Sequence, residues 1–313
     1  MNPFRLDAQV SDFVRRTESF SEGMPPDAPL AEVRAAYERM CAAFAQDYPA
    51  GLHARDGALH AKNPERVLAV RSYATPDAIP GRVVLYFHGG GFVVGSLKSH
   101  DSVCADLAAG AEVALVALDY RLSPEHRFPA ALDDAEAAYD DLLDSHQRVI
   151  VAGDSAGATL AVALCLRLRA KGRPMPWAQL LIYPMLHPDV RRALGGPKAD
   201  APLLPAASLA GYMQAYLGYP PEGITNPEIL PLAARDFTGL PPAAIFAADA
   251  DPLSQDAHDY AAALKSSGVA VALHPGYGLV HGYLRGRTVS DQIAMAFSAI
   301  VSSLHGFAHG GRI

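Results

Sequence analysis

The sequence predicts an α/β protein: a mostly parallel central sheet flanked by helices, with a helical cap over one edge. Three observations carry this. From about residue 66, short apolar runs alternate with amphipathic helical runs. The first 50 residues show helical periodicity and no strand pattern. A long segment rich in Pro, Gly, Ala and Leu, residues 186–239, interrupts the alternation.

In chain order, LAEVRAAYERMCAAFAQDY puts Leu30, Val33, Ala36, Tyr37, Met40, Cys41 and Phe44 near one helical face. The strand candidates are RVLAVRSY, RVVLYF, EVALVALDY, VIVAG, AQLLIYP, AAIFAADA and VAVALHP. Between them lie the helix candidates SVCADLAAGA, ALDDAEAAYDDLLDS, ATLAVALCLRLRAKG, DAHDYAAALKSSG and VSDQIAMAFSAIVSSLH. Continuous apolar strands separated by helices imply a parallel sheet covered on both faces. The excursion at 186–239 holds one helical candidate, LPAASLAGYMQAYLG. So long an interruption suits a lid over the C-terminal sheet edge, where open α/β sheets bind ligands. The expected division is therefore residues 1–55 as the N-terminal part of the cap, 56–185 and 240–313 as the core, and 186–239 as the rest of the cap.

Half of the 313 residues are hydrophobic, enough for a large core without metals or disulfides. The net charge of -7 and the lack of a Lys/Arg cluster argue against a nucleic-acid partner. No apolar run is long enough to cross a bilayer, so no membrane partner is expected. The N-terminus lacks the apolar core of a signal peptide, and Cys41, Cys104 and Cys165 read as buried free thiols; both point to the cytoplasm.

Two glycine motifs carry the chemistry. Gly153-Asp154-Ser155-Ala156-Gly157 lies where an apolar strand ends and a long helix begins, the setting of a G-x-S-x-G nucleophile elbow. A serine in that turn has a strained backbone, its neighbours must be small, and the helix N-terminus aims its dipole at the same point. The read-out as an ordinary strand–helix turn explains the small residues but not the second motif, His88-Gly89-Gly90-Gly91. Acyl transfer needs preorganised donors for an oxyanion. The N–H groups of Gly89, Gly90 and Ala156 are the expected donors. His88, Gly91 and Asp154 are expected to support the loops, and His88 has no second His or Cys at metal-ligand spacing.

A nucleophilic serine needs a histidine base and a carboxylate to orient it; with such an elbow the chain order is Ser, Asp/Glu, His. Of the histidines after Ser155, His281 lies in a glycine-containing loop before the last helix. His258 falls in a helix, His274 in a strand, His305 and His309 near the terminus, and His187 ahead of any suitable acid. Two aspartates follow the AAIFAADA strand. Asp251, past the strand end and before Pro252, is favoured over Asp249, which reads as structural.

The set HGGGF, GDSAG, DPL and HGY, with DYRLSPEHRFPAALDD (Asp119–Asp134), resembles the bacterial hormone-sensitive-lipase-like carboxylesterases of the α/β-hydrolase fold. The resemblance covers the chain from about residue 66 and is looser over the cap. It implies a cofactor-free esterase acting on a small-molecule ester, with Ser155, Asp251 and His281 as triad and Gly89, Gly90 and Ala156 as oxyanion hole. It also implies that the last strand or helix could pair two subunits as a homodimer. Ala158 stands where the family commonly has a glycine, and DPLSQD replaces the usual DPLRDE, which puts a nearby salt bridge in doubt. Glu125 reads as a structural partner of the loops around the serine. Amide, formamide or lactone cleavage would use the same residues. A binding-only receptor would be expected to lack the histidine. Phe20, Phe92, Tyr183, Leu203, Leu204, Tyr212 and Tyr216 are candidate pocket residues, each equally explained by packing.

Overall fold

Apolar alternation within each strand builds two cores at once. The computed structural model describes residues 4–25, 27–62 and 64–311. Among these, eight strands form one sheet: β1 (His53–Lys62), β2 (Glu65–Ala74), β3 (Arg82–Phe87), β4 (Ala114–Leu118), β5 (Arg148–Asp154), β6 (Ala178–Ile182), β7 (Ala243–Phe246) and β8 (Val271–His274). Their order is β1-β2-β4-β3-β5-β6-β7-β8. From β4 to β8 every pairing is parallel. In β3, Val83, Leu85 and Phe87 face one core while Val84 and Tyr86 face the other.

Helices cover both faces: α1 (Ala8–Glu18), α2 (Leu30–Ala43), α3 (Asp101–Gly110), α4 (Ala130–Ser145), α5 (Ala156–Ala170), α6 (Ala206–Leu217), α7 (Ser254–Ser266) and α8 (Asp291–Ala308). The first core takes side chains from α4, α5 and α7, the second from α1, α3 and α8. Leu85 is fully buried; truncating such a leucine to alanine costs about 2–5 kcal/mol. Two starts are locally encoded. Asp7 accepts the Val10 N–H at 2.6 Å, and Ser290 accepts that of Ile293 at 3.4 Å.

The sequence reading lacked β1. HARDGALHAK is almost wholly exposed, so it carries no apolar run. It is an edge strand, paired antiparallel to β2 over ten residues, and β2 is in turn antiparallel to β4. Its charged residues suit an edge that must not recruit another chain. The boundary expected between 55 and 56 falls inside this strand. AAIFAADA is shorter as a strand than expected: the continuous ladder stops at Phe246, and Ala247–Asp251 form the loop that leads to the site. Within 186–239 the expected helix is α6, and a 3₁₀ turn follows at Pro231–Ala233.

Candidate active site

The site is assembled at the C-terminal ends of β3, β5, β6 and β7. Ser155 follows β5 and stands at the N-cap of α5, with φ 53° and ψ -121°. A non-glycine residue holds that backbone only where its surroundings enforce it. Here they do: a Cβ on Gly157 would strike the Phe87 carbonyl, and one on Gly153 would strike the backbone of Gly157. Neither position of the turn has room for a side chain.

Two loops bring the partners. A parallel bridge joins Ala250 to Val280, and the Ala250 N–H donates to Leu279 O at 2.8 Å. That bridge sets Asp251 beside His281. Asp251 is fully buried and accepts the Leu253 N–H at 2.9 Å on Oδ1. His281 Nδ1 lies 2.7 Å from Asp251 Oδ2, and Nε2 lies 2.9 Å from Ser155 Oγ. An ionised carboxylate only accepts, so Nδ1 donates to it and Nε2 is left to accept the serine hydroxyl. Asp249 is set apart, half-exposed and 3.1 Å from Lys198.

Asp154 organises the floor. Its buried carboxylate accepts from Gly89 N–H and Tyr86 O–H at 2.9 Å each and from Tyr183 O–H at 3.2 Å, and His100 Nε2 lies 3.3 Å away. Burial alone would raise its pKa. The His100 imidazole, Arg285 and the Tyr86 hydroxyl outweigh that and hold the carboxyl well below the usual range. One expectation is corrected by this network. A backbone amide has a single hydrogen, and that of Gly89 is spent on Asp154, so it is not available to an oxyanion. Gly90 and Gly91 line the cavity instead, and neither N–H meets an acceptor among the described residues. Ala156 also lines the cavity, in the first turn of α5, where N–H groups lack helical partners.

His88 packs between Tyr120, at 4.3 Å, and His100, at 5.6 Å between ring centroids. Its Nδ1–H donates to Gly89 O at 2.8 Å, while its buried Nε2 has no partner. Burial, aided by His100, lowers its pKa to about 3, so it is neutral and holds the loop as expected.

The cavity above Ser155 has a volume of about 290 Å³. Its walls come from both ends of the expected cap: Phe20, Met24 and Tyr37 on one side, Leu203, Leu204 and Tyr212 on the other. Of the seven pocket candidates, Phe20, Tyr183, Leu203, Leu204 and Tyr212 line it. Phe92 and Tyr216 do not; they stack on each other at 3.9 Å, buried in the core. Glu125 supports the loops through α2, as expected of a structural partner: its carboxylate takes both Nη1 and Nη2 of Arg34, at 2.7 and 2.8 Å, and the same guanidinium donates to Val93 O and Ser123 O. In DPLSQD the position of the missing arginine is Ser254, and the last residue, Asp256, pairs with Arg192 at 2.5 Å. Arg285, one turn beyond His281, also lines the cavity and was missed, although a cation four residues from the base was a visible signal. His100, Tyr86 and the Asp154 network left no such signal. Glu112, His305 and His309 bring one ligand atom each within 4.8 Å of one another, so they could hold a cation at the surface.

Taken with the sheet order, the hydrogen-bonded run Asp251–His281–Ser155 at a strand–helix elbow marks the serine hydrolase class. A family model described as alpha/beta hydrolase fold matches residues 84–285. Esterase LipI of Mycobacterium tuberculosis is 41% identical over 218 residues, 67% of this chain and 68% of that protein. The ethyl acetate hydrolase of Pseudomonas putida is 36% identical, with 76% and 78% covered. An esterase from the bacterial hormone-sensitive lipase family superposes with a TM-score of 0.83 at 25% identity, covering 96% of this chain and 98% of that one. The chain belongs to the α/β-hydrolase family, within its hormone-sensitive-lipase branch of carboxylesterases. Among the described residues no helix is long and apolar enough to cross a membrane.

Proposed function

We propose that the chain hydrolyses short to medium acyl esters through a Ser155–His281–Asp251 triad and an acyl-enzyme. The observation that carries this is the continuous donor–acceptor line from Asp251 Oδ2 through His281 to Ser155 Oγ, opening into an apolar cavity. His281 removes the serine proton as Oγ attacks the ester carbonyl. The oxyanion is held by the N–H groups of Gly90, Gly91 and Ala156. His281 then protonates the departing alcohol, and a water activated by the same imidazole releases the acid. Asp251 stays ionised throughout. A volume of about 290 Å³ lies at the small end of ligand pockets, which suits short and medium acyl groups. Only the imidazole that is unprotonated at Nε2 can take the serine proton, so the base acts in its neutral form. Cap residues 1–55 and 186–239 supply the roof. β8 is the far edge of the sheet, so its open side supports pairing with a second copy.

The test is labelling with a fluorophosphonate. Wild type takes up one label per chain and Ser155→Ala takes up none. Equal labelling of the variant, or an unlabelled folded wild type, overturns the assignment.

A further inference from the structure

An arginine in an apolar cavity ordinarily brings its own counter-ion. Arg285 does not. Among the described residues, its hydrogen-bond partners are the Tyr37 hydroxyl, Cys41 Sγ at 3.3 Å and Gly282 O at 3.4 Å, all uncharged, and no carboxylate lies within 4.0 Å. Its guanidinium also lies 5.1 Å from the centroid of the Tyr37 ring. Arg287, two residues on, shows the usual solution: it pairs with Asp106 at 2.6 Å. The buried carboxylate whose field reaches Arg285 is Asp154, and that group is already committed to Gly89, Tyr86, Tyr183 and His100. Three uncharged acceptors for five N–H groups leave donors of the fork unfilled. Glu18 is the other acidic residue lining the cavity, and it is exposed, where water and salt screen it.

We infer that Arg285 is an anion subsite of the ester pocket, and that the preferred substrates carry a carboxylate on the acyl chain, as in the half-esters of dicarboxylic acids. The inference rests on the esterase reading above. A planar guanidinium pairs with a carboxylate through two parallel N–H···O bonds, so it selects for that group by geometry as well as charge. Ser155, His281 and Arg285 line one cavity, so the same molecule can present its ester carbonyl to Ser155 and its carboxylate to Arg285.

The experiment measures kcat/KM in a pH-stat for matched pairs that differ only in a terminal methyl or carboxylate: ethyl butyrate with monoethyl succinate, ethyl valerate with monoethyl glutarate, and ethyl hexanoate with monoethyl adipate. For at least one length, wild type uses the half-ester as well as or better than its neutral partner. Arg285→Met lowers that charged-to-neutral ratio about tenfold or more, and Arg285→Lys restores part of it. A ratio unchanged in Arg285→Met, or a neutral ester preferred more than about tenfold at every length, overturns the proposal. Ethyl ester turnover with the same charged-to-neutral ratio in wild type and Arg285→Met leaves the esterase reading standing and removes only this one. Should Arg285→Met not fold, calorimetry on Ser155→Ala, which binds the ester without turning it over, decides: monoethyl adipate binds more tightly than ethyl hexanoate, and the preference shrinks with added salt. Equal binding overturns the subsite.

Discussion

Replacing Asp154 by Asn tests the floor of the site without changing its shape. At Oδ1 the carboxylate takes the Gly89 amide, the Tyr86 hydroxyl and the His100 imidazole. Hydrogen bonds to a charged acceptor are worth about 1 kcal/mol more than neutral ones. Three of them put the loss at about 3 kcal/mol, roughly 5 °C in Tm for a chain of this size. The Tyr183 hydroxyl at Oδ2 can turn to accept from the new amide, so it adds little. The carboxyl is held below its ordinary value, so the sign of the pH effect follows. Its stabilisation is complete above the unfolded pKa near 3.9 and is lost as pH falls toward the folded value. The gap between wild type and Asp154→Asn in urea unfolding therefore narrows on going from pH 7 to 3.5, by about 0.7 kcal/mol. Because Gly89 is tied to this carboxylate, the neighbouring amides shift as well, and kcat falls roughly tenfold. A Tm within about 1 °C of wild type, or a gap that widens in acid, would refute the reasoning.

Gly91→Ala drives a methyl into the Tyr212 ring at a backbone φ of 61°. It is expected to lower kcat/KM about a hundredfold; a loss under about threefold removes Gly91 from the oxyanion set. Adding Tyr212→Ala separates space from backbone strain, since only the first is relieved by the double variant. The thiols of Cys41, Cys104 and Cys165 are buried, and burial pushes each of them up. Ellman's reagent should therefore find fewer than one thiol per chain in the native protein and all three in guanidinium; rapid native reaction would contradict that burial.

The sequence reading succeeded where local chemistry and long-range structure ask for the same residues. The apolar runs of β3 to β7 are buried on both faces, so they announce themselves. The elbow demands small residues at 153 and 157 because backbone from Phe87 and Gly157 occupies that space. It failed where tertiary partners decide. β1 is polar because it is an edge, so the eighth strand had no apolar signature. Nothing in HGGG says which amide faces the substrate; a carboxylate distant in sequence, Asp154, takes the first one. The same holds for the partner of Glu125, Arg34, which lies 91 residues earlier, and for Phe92 and Tyr216, whose mutual stacking removes both from the pocket.

The most direct test of the central claim is the hydrolysis of p-nitrophenyl esters from acetate to palmitate by wild type and Ser155→Ala, measured side by side. The account predicts turnover of the short and medium esters, a fall as the chain outgrows a cavity of about 290 Å³, and loss of at least about a thousandfold in the variant. Comparable turnover by folded Ser155→Ala, or none by folded wild type on any ester, would contradict it.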